Sequence, residues 1–408
     1  MKEFQEQYEI ISRGAVEILP DEEFRARLKK SIEESKPLRV KQGFDPTAPD
    51  IHIGHTVGIR KLKQFQELGH QIVLIVGDYT GLVGDPSGRS ATRPQLSYEK
   101  IMANAETYQK QFFKILDESK TEIHFNGEWF SKMNFREIMQ LAAKFTLARM
   151  LERDDFDLRF KAGNPISVHE LFYPLMQAYD SVVIKADVEI GATEQKFNLL
   201  TGREIQGDYG VQPQMILTLP VLVGTDGVNR MSKSLGNYIG IDEAAGEMFG
   251  KVMSIPDDAM PVYFELCTDV PMEEIEEIKR GLQCGTIHPM DVKKRLGREI
   301  VTIYHSAEAA SEAQAEFERV FSQREVPEDM PEVVLGDGDL ENATIALFRL
   351  VLKAGMAASG SEARRLIQAG AVTIDGEKLT DPVAPIVPSD GQILRAGKLK
   401  FGRLRVGA

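Results

Sequence analysis

Short, dense apolar runs alternate with longer stretches of helical spacing through the first half of the chain. "LRV" at 38–40 and "QIVLIVG" at 71–77 have the density of buried strands. Between them Val57, Ile59, Leu62, Phe65 and Leu68 form one helical stripe, and Gly69 stands where a helix C-cap belongs. A polar helix is expected over 97–120, then a strand at "TEIHF". "SVHELFYPLMQAYDS" reads as a helix that opens on a capping-box pair, Ser167 and Glu170. "VVIKADVEIG" and "QMILTLPVLV" supply two more strands with a helix between them. This alternation predicts an α/β fold, a Rossmann-like doubly wound parallel sheet with helices on both faces, over 1–236. The pattern then changes. Residues 237–323 have helical periodicity and few strand signals. "REVPEDMPEVVLGDGDL" is acidic and rich in Pro and Gly, so 324–341 reads as a linker. A small last domain spans 342–408.

Composition narrows the class. Two cysteines without a CxxC pair argue against a disulfide scaffold or a cysteine zinc site, and fit a reducing, cytoplasmic setting. The acidic, amphipathic start is unlike a signal peptide, and no apolar run is long enough to span a membrane. A net charge of −13 argues against a whole-surface nucleic-acid binder, and DNA is not an expected partner. From Asn342 onward, however, ten Lys/Arg face five Asp/Glu. That local excess points to a basic site at the end of the chain.

The chemistry concentrates in two segments. In "PTAPDIHIGHTVGIRKL", His52 and His55 sit three apart where a strand's carboxyl end turns into a helix. Free N–H groups and the helix dipole make such a turn an anion site. Pro46 and Pro49 stiffen the loop, Asp50 is a candidate N-cap, and Gly54 removes a side chain where a ligand could approach. Phosphate binding, core packing and metal ligation all remain open for the imidazoles; the metal reading lacks a nearby third ligand. In "NRMSKSLGNYIGI", Lys233 stands between two serines in a glycine-flanked loop. That composition suits a polyphosphate or a plain exposed loop.

Together these segments resemble the class I aminoacyl-tRNA synthetases. HIGH is intact as His52–His55, and the KMSKS-type signature appears about 180 residues later as Arg230–Ser234. The blocks "GFDPTAPDIHIGH", "GLVGDPSG", "FYPLMQAYDS", "TEQKFNLL" and "RMSKSLGNYIG" are similar, in order, to the bacterial tyrosyl branch of that family. "SEARRLIQAGAVTIDGEKLTDP" resembles the S4 RNA-binding module.

The resemblance implies ATP-dependent activation of tyrosine, transfer to tRNA, a homodimer, and Mg²⁺ carried on the phosphates without a protein-bound metal. It implies that Thr47, His52, His55 and Lys233 stabilise the reacting phosphates. Asp85, Tyr173, Gln177, Asp180 and Gln195 would hold tyrosine, with Asp180 accepting from its hydroxyl. Asp45, Gly54, Gly191, Glu194, Met231, Ser232, Lys233 and Ser234 would hold ATP. Residues 237–323 would face the anticodon. Arg364, Arg365, Lys398, Lys400 and Arg403, with Arg395 and Arg405 beside them, would meet RNA phosphates. A buried acceptor that phenylalanine leaves unpaired discriminates without an editing domain, and no insertion of that kind stands out.

Two departures qualify the match. Lys41 takes the place of a tyrosine that touches the substrate hydroxyl in many relatives; it joins the tyrosine set here, either directly or by neutralising Asp180 or another carboxylate. The ribose-binding block reads Gly191–Ala192–Thr193–Glu194–Gln195 instead of Gly-Gly-(Ser/Thr)-Asp-Gln. Its extra methyl and longer acid predict a shifted contact and weaker ATP binding. A tryptophanyl enzyme shares the fold, but the "YPLMQAYDS" block and the S4-like tail count against it. An RNA-binding paralogue with a decayed ATP site would explain Ala192 and Glu194, but not the intact His52, His55, Asp85 and Lys233.

Overall fold

Ile72, Val73 and Leu74 are fully buried, as expected for a strand covered on both faces of a parallel sheet. The computed structural model describes residues 2–46, 51–87, 96–322, 330–340, 343–397 and 400–406. The chain divides into two compact units, Met1–Gln314 and Ala315–Ala408. The first is built on β1 (Glu17–Leu19), β2 (Arg39–Phe44), β3 (Gln71–Val76), β4 (Thr121–Phe125), β5 (Val188–Ala192) and β6 (Met215–Leu219). Their order is β1-β6-β5-β2-β3-β4. All neighbours are parallel except β1, which runs antiparallel on β6. β1 is too short to give a periodic signal, and the sequence pattern does not reveal it.

Several boundaries differ from the pattern reading. The polar helix runs Tyr98–Phe112, capped by the Ser97 hydroxyl, and a separate 3₁₀ turn covers Glu118–Lys120. "SVHELF" is a 3₁₀ turn held by the expected Ser167–Glu170 capping box, and the α-helix begins at Tyr173 with Pro174 in its first turn. "VVI" at 182–184 ends that helix instead of opening a strand. Lys185 adopts a left-handed conformation as its cap, and β5 starts at Val188. Five helices follow the sheet: Ala245–Met253, Met260–Cys267, Met272–Cys284, Pro289–Tyr304 and Ala307–Ser322.

The second unit holds β7 (Glu332–Leu335), β8 (Ile345–Ala346), β9 (Val372–Ile374), β10 (Glu377–Leu379), β11 (Pro385–Ile386), β12 (Ile393–Ala396) and β13 (Lys400–Val406). Five of them form the sheet β10-β9-β12-β13-β7, and β8 pairs with β11. The helices Leu347–Lys353 and Gly360–Gln368 contribute Leu350, Val351, Ala363 and Ile367 to its core. β7 falls in the stretch read as a linker. Acidic and Pro/Gly composition masked a strand whose alternate residues, Val333 and Leu335, are buried and which lies parallel to β13. Among the described residues no helix is long and apolar enough to cross a membrane.

Candidate active site

The chain leaves β2 for β3 on one side, while β5 and β6 lie on the other side of β2. This reversal opens a crevice at the carboxyl ends of the strands, the usual ligand position in such sheets. A cleft of about 490 Å³ lies there, lined by the ends of β2, β3, β5 and β6, by the first turn of the Ile53–Glu67 helix and by Arg230–Lys233.

The two signature segments are locked together. His52 is itself the N-cap of the helix; Asp50, the candidate cap, lies outside the described residues. The backbone of 51–53 bridges 239–241: Ile53 N donates to Ile239 O at 2.9 Å and Ile241 N to Ile51 O at 3.2 Å. The His52 and His55 rings stack 3.7 Å apart. A Cβ on Gly54 would sit 3.0 Å from His52 Nδ1 and 3.4 Å from Met231 Cβ, so glycine lets the two segments meet. His52 is buried, and desolvation, with His55 and Lys233 nearby, lowers its pKa to about 3. His55 keeps a face open to solvent; desolvation and Lys233 lower it less far, to about 4. Both imidazoles are therefore neutral hydrogen-bonding groups at neutral pH. The buried His52 Nδ1 has no partner among the described residues.

The Arg230–Gly236 loop is shaped by Asn237. Its side-chain Oδ1 accepts from Ser232 N at 2.8 Å, and its side-chain Nδ2 donates to Asp226 at 3.0 Å and Arg230 O at 3.1 Å. Ser232 and Ser234 hydroxyls lie 2.8 Å apart. Lys233 Nζ stands 5.8 Å from the Tyr238 ring centre. Arg230 pairs with Glu194 at 3.5 Å, which ties this loop to the altered block after β5.

Deeper in the cleft lies a polar network. Asp45 accepts from Thr80 Oγ at 2.7 Å and Tyr173 OH at 2.8 Å. Asp85 accepts from Gln195 at 2.7 Å and from Ser87, with Arg153 3.5 Å away. Asn198 donates to both Gln177 and Gln195. Asp180 is 3% exposed; Trp129 Nε1 donates to it at 2.9 Å and Asn126 at 3.3 Å. Burial raises its pKa to about 7, against the pull of Lys41, Asn126 and Trp129.

Of the residues singled out from sequence, Asp45, His52, Gly54, His55, Asp85, Tyr173, Gln177, Asp180, Gly191, Glu194, Gln195, Met231, Ser232 and Lys233 all line this cleft. Ser234 touches it only through Ser232. Lys41 does not reach it. Its ammonium is fully buried and bonded to Glu189 at 2.8 Å, Ser181 at 2.8 Å and Gln177 O at 2.9 Å. This corrects the direct substrate contact: Lys41 neutralises a carboxylate, namely Glu189. Thr47 and Lys398 lie outside the described residues. In the second unit Arg364 and Arg365 are exposed on one helix, and Arg395, Lys400, Arg403 and Arg405 lie on β12 and β13. Arg405 is engaged by Glu332 and Asp390. Sequence reasoning missed Thr80, Asn126, Trp129, Asn198 and Asn237. Of these, Trp129, the single tryptophan, Asn198, inside the "TEQKFNLL" block, and Asn237, inside the MSKS segment, carried a signal. Among the described residues no three His, Cys, Asp or Glu side chains gather as a metal site.

Comparison with known proteins agrees with this geometry. The family described as tRNA synthetases class I (W and Y) matches residues 33–322, and the S4 domain matches 347–390. The tyrosine–tRNA ligase of Moorella thermoacetica is 55% identical over 99% of this chain and 96% of its own. That of Carboxydothermus hydrogenoformans is 53% identical over 98% and 97%. Among solved structures, the tyrosyl-tRNA synthetase of Archaeoglobus fulgidus complexed with L-tyrosine shares the fold, at TM-score 0.63 and 24% identity over 77% of this chain and all of its own. A C-terminally truncated mitochondrial tyrosyl-tRNA synthetase from Aspergillus nidulans gives TM-score 0.65 and 24% identity over 79% and 95%. The family description leaves tryptophan and tyrosine open, and the curated relatives decide between them: the chain belongs to the tyrosine–tRNA ligases, within the class I tRNA synthetases.

Proposed function

We propose that this cleft joins tyrosine to ATP and passes the tyrosyl group to tRNA. The observation that carries the reading is the convergence of the His52–His55 turn and the Lys233 loop on one cleft with a buried acid, Asp180, at its floor. The tyrosine carboxylate is already ionised and attacks the α-phosphate of ATP. The new C(O)–O–P bond forms as the bond to pyrophosphate breaks. No general base is needed, so the site's task is to hold the reactants in line and to donate to growing phosphate charge. Neutral His52 and His55 fit that task, with Lys233 and its serines over the leaving pyrophosphate and Mg²⁺ travelling on the phosphates. Thr47 is assigned to the same set by family resemblance. Asp85, Gln195, Tyr173 and Gln177 would bind the substrate ammonium and its surroundings, and Asp180 its hydroxyl. Asp45, Gly54, Gly191, Glu194 and Met231 would line the adenylate. A tRNA 3′-terminal ribose hydroxyl then attacks the tyrosyl carbonyl, and AMP leaves.

The same reading assigns activation to 1–236, the anticodon side to 237–323 and phosphate contacts on RNA to Arg364, Arg365, Lys400 and Arg403, with Lys398 among them by sequence. It places the enzyme in the cytoplasm. A homodimer is supported by the exposed apolar side chains Phe135, Met139, Leu147, Leu158, Phe160 and Val168, which a second copy would cover. The test is pyrophosphate exchange with tyrosine, tryptophan and phenylalanine offered separately. Exchange with tyrosine alone is expected. Exchange with tryptophan alone, or with none, overturns the reading.

A further inference from the structure

The far end of the Pro289–Tyr304 helix reaches the His52–His55 segment directly, and the residue after it reaches Glu243, two residues beyond the Lys233 segment. Tyr304 is buried, and its hydroxyl lies 2.6 Å from Thr56 Oγ1. Thr56 donates its own proton to Ile53 O at 2.9 Å, so Tyr304 is the donor in this pair. Burial holds the phenol proton on, with a pKa of about 12. Thr56 follows His55 directly, and its bond to Ile53 closes the turn that carries Gly54 and His55. The next residue, His305, places Nε2 2.9 Å from Glu243 O; a carbonyl only accepts, so this nitrogen carries the proton. Glu243 pairs with Lys251 at 2.5 Å, and its side chain packs against Gly240, which bridges His52. Lys251 lies 4.9 Å from the centre of the Tyr238 ring, which Lys233 also faces and which stands 6.3 Å from the His52 ring.

We propose that Tyr304 and His305 are positioning residues for tyrosine activation. Tyr304 sets the His52–His55 turn through Thr56, and His305 sets the Lys233 loop through the Glu243 segment. The proposal rests on the phosphate-binding reading of those histidines and that lysine. Neither positioning residue touches substrate. Their effect belongs to the transition state, because the phosphate donors they align are needed most when charge has moved onto the phosphates.

The test is pyrophosphate exchange by the full-length protein, with rates normalised to active sites counted by stoichiometric adenylate formation. Tyr304→Phe deletes one hydroxyl and keeps the ring. We expect its kcat to fall about 5-fold while KM for tyrosine and ATP moves less than 2-fold. Thr56→Val should match it, and Thr56→Ser should restore the wild-type rate. In a His55→Ala background, Tyr304→Phe should have no further effect. His305→Ala alters an exposed side chain, so folding is not at risk; it should lower kcat in the same way and lose its effect in a Lys233→Ala background. Unchanged kcat in Tyr304→Phe, or full additivity with His55→Ala, overturns the proposal. If His55→Ala itself leaves exchange unchanged, the phosphate reading falls and this one with it. If His55→Ala impairs exchange and Tyr304→Phe does not, the positioning role alone falls.

Discussion

At the scale of single residues, function turns on which buried groups are neutral. Asp180 titrates near pH 7 because burial disfavours its charge. In the proposed role of acceptor for the tyrosine phenol it works best ionised, so kcat/KM for tyrosine should fall about 10-fold as pH drops from 8 to 6. Phenylalanine, which leaves the acid unpaired, should follow the opposite trend, so discrimination is greatest above pH 7. Asp180→Asn should flatten both profiles in pyrophosphate exchange; a tyrosine profile that keeps its slope in this variant would assign the titration elsewhere. His70 has a purely structural counterpart of this behaviour. Its Nδ1 accepts from Leu38 N at 3.2 Å, and its Nε2 bonds Gln7 Oε1 at 3.1 Å, an arrangement only the neutral ring allows. Desolvation lowers its pKa to about 4. The unfolded chain binds this proton near pH 6.5 and the folded one does not. His70 therefore leaves stability intact above pH 6.5 and erodes it as pH falls toward 4. In urea unfolding at pH 7 and pH 5, His70→Gln, which can make both bonds, should lose about 2 kcal/mol less between the two pH values than the parent chain.

At the scale of elements, β2, β5 and the Tyr173–Ile184 helix are joined by one buried ion pair. Lys41 and Glu189 are 0% and 1% exposed, and Gln177, Ser181 and Gln214 surround the carboxylate. Lys41→Met leaves that charge buried and unpaired, which should cost about 3–5 kcal/mol. KM for tyrosine should also rise, because Gln177 sits on the same helix as Asp180. Lys41→Met/Glu189→Gln should recover most of both losses; recovery of stability without KM would separate the pair from the pocket. The sequence showed that Lys41 was unusual but not its partner, since β2 and β5 are nearly 150 residues apart and only the sheet order makes them neighbours. Asn126 and Trp129, which reach Asp180 from beyond β4, were hidden in the same way by separations of 54 and 51 residues. By contrast the placement of His52, His55 and Lys233 at the cleft was legible, because each sits in a short segment whose local pattern of glycines and polar residues is visible in the sequence. Lys185 shows the limit of pattern reading: "VVIKADVEIG" has β-branched residues at both ends, and one left-handed residue divides it into a helix end and a strand.

At the scale of the whole molecule, charge is divided unevenly. The chain carries −13 overall, yet residues 342–408 hold ten Lys/Arg against five Asp/Glu. That excess was readable from composition, whereas β7, contributed from before the basic segment, was not. An acidic protein that binds an acidic polymer must confine attraction to a patch, and binding there releases counterions from the RNA. The two reactions of the enzyme should therefore respond differently to salt. Pyrophosphate exchange, which involves no RNA, should change little between 50 and 200 mM KCl, while KM for tRNA in aminoacylation should rise steeply. Arg364 and Arg365 stand exposed side by side on the Gly360–Gln368 helix. Arg364→Ala/Arg365→Ala should raise KM for tRNA at low salt, lower the log–log salt slope by about 2, and leave exchange untouched. Arg405, held by Glu332 and Asp390, is the internal control. Arg405→Ala should change the slope far less, because its charge is already neutralised within the fold. Equal slopes for the two variants would mean that total charge, and not the exposed face of this helix, governs tRNA capture.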